Sequence, residues 1–195
     1  LKKGFQKEEA ITVYDLILRF ANYGFNRSHA VAYSVIAYHL AYLKANYLIE
    51  CMCVLMNGVT HHHEKLNEYI TEARRLGIKV HPPSLHKSER DCIVVNGEIW
   101  LGLAIVKNVG VQGIDAIVAE RKKKKFTSLF DLCARVPAKV LPKRSIDALI
   151  AAGALDCLHD DRAQLLASVE IAMEYGKKVA DRENALQTEL FVEEI

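Results

Sequence analysis

Proline is scarce in this sequence, with four in 195 residues, so little opposes helix along most of its length. No Cys-x-x-Cys pair occurs. Of Cys51, Cys53, Cys92, Cys133 and Cys157, only the first two lie close together. That spacing excludes a zinc knuckle, and an odd count without a disulfide pattern fits a reducing cytoplasm. Uninterrupted hydrophobic runs are also missing. The stretch 30–56 is apolar, but His39, Lys44, Asn46 and Glu50 break it, so it reads as a buried helix and not a membrane span. No secretory leader is visible, and the opening Leu1 reads as the start of a piece of something longer. Metal-ligand spacing is lacking too. His61, His62 and His63 are adjacent at a helix start, point in different directions, and read as surface residues.

Hydrophobic residues make up 51% of the chain, enough for one or two globular domains. The net charge is only +2, but it is unevenly placed. Residues 101–150 hold ten Lys/Arg against four Asp/Glu, and residues 151–195 hold four against ten. A basic block followed by an acidic one points to a local anionic partner, nucleic acid first.

Hydrophobic spacing predicts helices through most of the chain. Val13, Leu16, Ile17 and Phe20 share one helical face, with Gly24 as a stop. Ser28 is placed to cap a second helix running to about Leu43, apolar on most sides and expected deep in a helical domain. Further helices are predicted over 49–56 and 61–76, the second closed by Gly77. The pattern then changes. Ile78-Lys79-Val80 reads as a short strand stopped by Pro82-Pro83, and Asn96-Gly97 between 93–95 and 98–101 reads as a hairpin with a type I′ turn. Helices resume near Leu103. One starts with Pro142 at its first position and ends at Gly153, and one runs from Asp160 or Asp161 to about Val179. No internal repeat is strong enough to make the chain a solenoid.

The segment 103–120 reads as two short helices joined at Asn108-Val109-Gly110. A helix N-terminus offers unpaired N–H groups and partial positive charge, and a turn of small residues lets a DNA phosphate come close. Lys107, Asn108, Gly110, Gln112 and Gly113 are the candidate contacts at the turn. Arg121, Lys122, Lys123, Lys124 and Lys125 add five positive charges after the second helix. The pattern resembles the helix-hairpin-helix motif, with Asn108 where the first turn glycine usually stands. Asparagine tolerates the left-handed conformation needed there. Contacts of this kind ignore base identity, because backbone amides meet only phosphate.

Several collinear strings extend the likeness. Gly24-Phe25-Asn26-Arg27-Ser28-His29-Ala30 with Ala32-Tyr33 and Tyr42-Leu43-Lys44-Ala45-Asn46-Tyr47 comes first. Glu72 to Val80 with Pro82-Pro83, Leu101-Gly102-Leu103 with Val106-Lys107 and Val109-Gly110, Phe126 to Cys133, and Lys143-Arg144 through Asp156 follow in order. Together they resemble the fingers and following region of the bacterial DNA polymerase III alpha subunit. The resemblance implies a mostly α fold: a helical fingers segment (1–57), a helix-hairpin-helix region with a small β hairpin (58–158), and a C-terminal helix and tail (159–195). It implies an incoming deoxynucleotide near Asn26, Arg27, Ser28, His29 and Tyr33, and duplex primer-template DNA at the hairpin. Lys139, Lys143 and Arg144 would add to the DNA contact from a second, degenerate hairpin. In the family, three palm aspartates hold the catalytic Mg2+ ions. Those motifs are absent here, so no catalytic residue and no cofactor is expected within this segment, which alone should not polymerise.

Gln187-Thr188-Glu189-Leu190-Phe191 resembles the short motif by which bacterial replication proteins bind the sliding clamp. Gln187 would supply a hydrogen-bond anchor, and Leu190 with Phe191 would fill an apolar pocket. Two other classes of function compete with a DNA-holding polymerase segment: a clamp-docking module, and a helix-hairpin-helix repair enzyme such as a base-excision glycosylase, with Asp131 as the catalytic aspartate beside the hairpin. A cytoplasmic setting at the bacterial nucleoid, with no membrane partner, goes with the polymerase reading.

Overall fold

A computed structural model describes residues 4, 6–21 and 26–190, with 183–190 described by backbone alone. It separates into two compact units, 1–47 and 48–195. The first contains α1 (Lys7–Ala21) and α2 (Arg27–Asn46). The cap of α2 is Asn26, not Ser28: the Asn26 carboxamide oxygen accepts from the Ser28 backbone N–H at 3.1 Å and from its hydroxyl at 2.6 Å. Neither helix has a buried residue. This corrects the expectation that the second helix lies deep in a core. Its apolar residues circle the helix, and this unit supplies too little chain to cover them; Tyr38 of α2 and Phe20 of α1 are each 68% exposed. Gly24, expected as a helix stop, lies outside the described residues.

The second unit begins with α3 (Leu48–Gly58) and α4 (His63–Arg75). Thus α3, grouped in the sequence with the first segment, packs on α4 and on the sheet. Gly77, at φ +82°, closes α4 as expected: its N–H bonds to the Arg74 carbonyl, and the Ile78 N–H reaches back to Ala73. Strands β1 (Val80–His81), β2 (Ile93–Val95) and β3 (Glu98–Trp100) form one sheet in the order β1-β3-β2. The β2–β3 hairpin turns through Asn96 at φ 52° and Gly97 at φ 77°, as the Asn-Gly pair requires. β1 pairs with β3 in parallel, placing Val80 opposite Ile99. Met52, Met56, Leu66, Ala73 and Ile99 fill the core between these helices and the sheet.

A 3-10 turn over Leu103–Ile105 replaces the first predicted hairpin helix. The Leu103 and Ala104 amides bond to the Glu89 and Arg90 carbonyls, while the Ile105 and Val106 amides close on Gly102 and Leu103, the three-residue spacing of a 3-10 turn. Four helices complete the unit: α5 (Val111–Lys123), α6 (Leu129–Arg135), α7 (Lys143–Ala151) and α8 (Arg162–Leu190). Pro142 sits at the cap of α7, one position outside its expected place. The Asp161 carboxylate caps α8 by accepting from the amides of Ala163 and Gln164. α8 then runs past Val179 to Leu190. Gly176 of α8 meets α6 so closely that a Cβ would stand 2.2 Å from the Cys133 carbonyl oxygen. Leu103, Ile114, Ile117, Phe126, Leu132, Ile146, Leu149, Val169 and Ala172 fill this second core, and Ile105 touches both cores.

Candidate nucleic-acid interface

The loop before α5 turns through Asn108, whose φ of 66° is the left-handed value a hairpin turn demands. Gly110 is the cap residue of α5, with no side chain bonded to the helix's first amides and no atom within 4 Å of where a Cβ would lie. The helix therefore starts open. Lys107, Asn108, Gly110, Val111 and Gln112 are all exposed around it, while Val109 packs inward. Unpaired first-turn amides and the dipole of a 13-residue helix make this end attractive to an anion.

A second hairpin repeats the first. α6 leads through Pro137-Ala138-Lys139-Val140 to α7, whose cap Pro142 also lacks a side-chain bond. The chain from Gly110 to Ile117 matches that from Pro142 to Leu149: Ile114-Asp115-Ala116-Ile117 corresponds to Ile146-Asp147-Ala148-Leu149. The second, degenerate hairpin was expected with Lys139, Lys143 and Arg144, but this residue-by-residue match was not, because Gly-Val-Gln-Gly and Pro-Lys-Arg-Ser share no letters. The two hairpins also touch reciprocally. A Cβ on Gly113 would stand 2.6 Å from the Val140 carbonyl oxygen, and the Ser145 hydroxyl donates to the Asn108 carbonyl at 2.6 Å. Each helix's third residue thus rests on the backbone two residues before the other helix's cap.

This arrangement re-sorts the predicted contacts. Gly113 is buried against Val140, so its small size serves packing between the hairpins and not an uncluttered helix start. Arg121 is internal: its side chain is 8% exposed, donates to the Leu85 and Ser88 carbonyls, and pairs with Glu89 at 2.6 Å. It cannot reach a duplex while it ties the 85–89 loop to α5. Lys122, Lys124 and Lys125 are exposed, and Lys123 pairs with Glu120 at 2.6 Å. Yet this run lies at the far end of α5 from Gly110, about 18 Å away at 1.5 Å per residue. In contrast, Lys139, Lys143 and Arg144, all exposed, belong to the hairpin that touches the first turn. Lys143 is engaged with Glu170 at 3.0 Å, and this carboxylate pushes its pKa up.

Arg135 ties α6 to the end of α5. Its guanidinium bonds to the Glu120 and Lys124 carbonyls, approaches the Glu120 carboxylate at 3.4 Å, and lies 4.5 Å over the Phe126 ring. Lys123, with a smaller contribution from Arg135, holds the Glu120 carboxyl below its ordinary range. The basic end of α5 therefore has a structural use as well, with cations facing a helix C-terminus.

Asn26, Arg27, Ser28, His29 and Tyr33 lie together on the first turns of α2, all exposed, with the His29 and Tyr33 rings 4.3 Å apart. The Asn26 side chain is occupied by its cap. Gln187 and Leu190 fall on the last turn of α8 by backbone, where a polar tail was expected, and Phe191 lies outside the described residues. No group of three or more His, Cys, Asp or Glu able to hold a metal occurs among the described residues, nor is any of their helices long and apolar enough to cross a membrane.

A family model described as a helix-hairpin-helix motif matches residues 77–165, the span that contains both hairpins. Over nearly its whole length the chain is similar to proteins named DNA polymerase III subunit alpha. Identity is 45% over 194 residues to that of Bacillus subtilis, 44% over 193 to that of Thermus aquaticus, and 37% over 192 to that of Vibrio cholerae. These alignments cover 100%, 98% and 97% of the chain, but only 17%, 16% and 17% of the respective relatives. The chain thus spans about one sixth of the length of the relatives it matches.

Proposed function

We propose that this chain, which belongs to the DNA polymerase III alpha-subunit family as one segment of it, holds duplex DNA through its phosphate backbone, without base specificity, in a replicative polymerase. The observation that carries this reading is the pair of mutually seated hairpins. Two uncapped helix starts sit beside Lys107, Lys139, Lys143 and Arg144, so backbone amides and cations converge on one face. Lys122, Lys124 and Lys125 extend the basic surface by about 18 Å, roughly five base-pair rises of duplex. The polymerase activity belongs to the longer relatives. No chemical step is assigned to this segment.

Two finer roles are part of the same proposal. At the start of α2, Arg27 and His29 meet the triphosphate of an incoming deoxynucleotide, with Asn26, Ser28 and Tyr33 beside them. At the end of α8, Gln187, Leu190 and Phe191 dock on the sliding clamp, the last turn unwinding to do so. A peptide of residues 184–195 tested against the cognate clamp checks that docking, and absence of binding removes it.

Equilibrium binding of the chain to duplexes of two unrelated sequences, across about 50 to 200 mM salt, tests the main reading. Four phosphate contacts would cost roughly 100-fold in affinity over that range, equally for both duplexes. No binding at the lowest salt, or a strong preference for one sequence, overturns it.

A further inference from the structure

Ser145 is one of two buried polar side chains in the described structure, 2% exposed, and its hydroxyl donates to the carbonyl of Asn108 in the other hairpin. We propose that Ser145 is a positioning residue that sets the first hairpin's turn, so that the two hairpins engage DNA as one unit. This rests on the DNA-holding reading.

The geometry supplies the reason. Every described peptide bond is trans, and a trans peptide sets its N–H opposite its C=O. Seating the Asn108 carbonyl on the α7 side therefore turns the Val109 N–H away from α7. That amide has no hydrogen-bond partner among the described residues. It lies next to Gly110 and the open first turn of α5, and so joins the set of outward donors. Asn108 stands in the left-handed region at φ 66°, a conformation that a residue with a side chain holds at a cost. The short bond from Ser145 supplies an anchor that local preference lacks. Reciprocally, Gly113 leaves room for the Val140 carbonyl, so a shift of either turn is felt by the other helix. Ser145 itself, inside the protein, has no route to phosphate.

The test compares Ser145→Ala with Ile99→Val in the full chain. Ile99 is fully buried in the sheet core, away from the hairpins, so its variant reports the effect of a general stability loss. In the DNA-free protein, Ser145→Ala is expected to displace the amide resonances of Val109 and Gly110. Its duplex affinity should fall about 3- to 10-fold, the scale of one lost hydrogen bond. Its salt slope should drop by roughly 0.9, one phosphate. Ile99→Val should change neither slope nor those resonances. Unmoved Val109 and Gly110 resonances in Ser145→Ala overturn the positioning role. So does an unchanged affinity and slope in a protein that binds duplex. Failure of the unsubstituted chain to bind duplex defeats the DNA-holding reading, and with it the part of this proposal that joins the hairpins on DNA, while the resonances still decide whether Ser145 sets the turn.

Discussion

Gly113 packs so tightly on Val140 that a Cβ would stand 2.6 Å from the Val140 carbonyl oxygen and 3.3 Å from the Leu141 side chain. The first of these neighbours is backbone and cannot rotate away. Gly113→Ala gains about 1 kcal/mol of helix propensity, but forcing the two hairpins apart costs about 1–3 kcal/mol. The packing loss prevails. We expect the second unit's thermal midpoint to fall by about 2–4 °C, with weaker duplex binding because the turns no longer share a face. Calorimetry and a DNA titration read both effects.

Arg121 and the lysines after it should separate cleanly. Arg121→Met leaves the Leu85 and Ser88 carbonyls and the Glu89 carboxylate without their donor, and should cost about 1–3 kcal/mol in stability. Replacing Lys122, Lys124 and Lys125 together with alanine removes exposed charges, and should change stability by about 0.5 kcal/mol or less. That triple variant should instead flatten the salt dependence of DNA binding. Denaturant melts beside salt titrations distinguish the two, and equal stability losses would place the lysines inside the fold's support.

Acid should loosen the second unit. Arg162 holds Asp156 below its ordinary carboxyl value, and Lys123 with Arg135 does the same for Glu120. A depressed folded pKa means stability that is full above the unfolded value and lost as pH falls through the folded one. The unfolding midpoint should therefore be flat near neutrality and decline below about pH 4. Glu120→Gln should shrink that decline, measured by thermal melts from neutral to acid pH. An identical acid limb in the variant would remove Glu120 from the account.

Burial alone pushes the Cys133 thiol up to about 11, and burial, with lesser effects from Cys92 and Glu50, pushes Cys53 to about 11. Both should resist alkylation at mildly alkaline pH in the folded protein and react once it is unfolded, because the thiolate is the nucleophile. Mass spectrometry of labelled peptides reads this site by site. Rapid labelling of Cys133 in the native state would mean that α8 does not stay packed on α6.

Local chemistry was well written in the sequence. Asn96-Gly97 fixed a hairpin turn because both residues accept positive φ, Gly77 closed α4 for the same reason, and Asn108 kept the left-handed turn in place of glycine. What escaped was everything that depends on distant partners. β1 found β3 across 18 residues, a parallel pairing that no local pattern encodes. A 3-10 turn over Leu103–Ile105, anchored to a distant loop through the Glu89 and Arg90 carbonyls, stands where spacing suggested a helix. Arg121 looked like the first of five equal cations, since nothing in its neighbours reveals that its side chain turns inward to Ser88 and Glu89. The lysine run and the turn read as one site because they are close in sequence, while a straight helix holds them about 18 Å apart.

Mapping backbone amide resonances while duplex DNA is added at low salt tests the central claim most directly. Shifts are expected to gather at Lys107–Gly113 and Lys139–Ser145, with a weaker set at Lys122–Lys125 and a quiet α3, α4 and sheet. Shifts gathered on the sheet or on α8, with both hairpin turns silent, would contradict it.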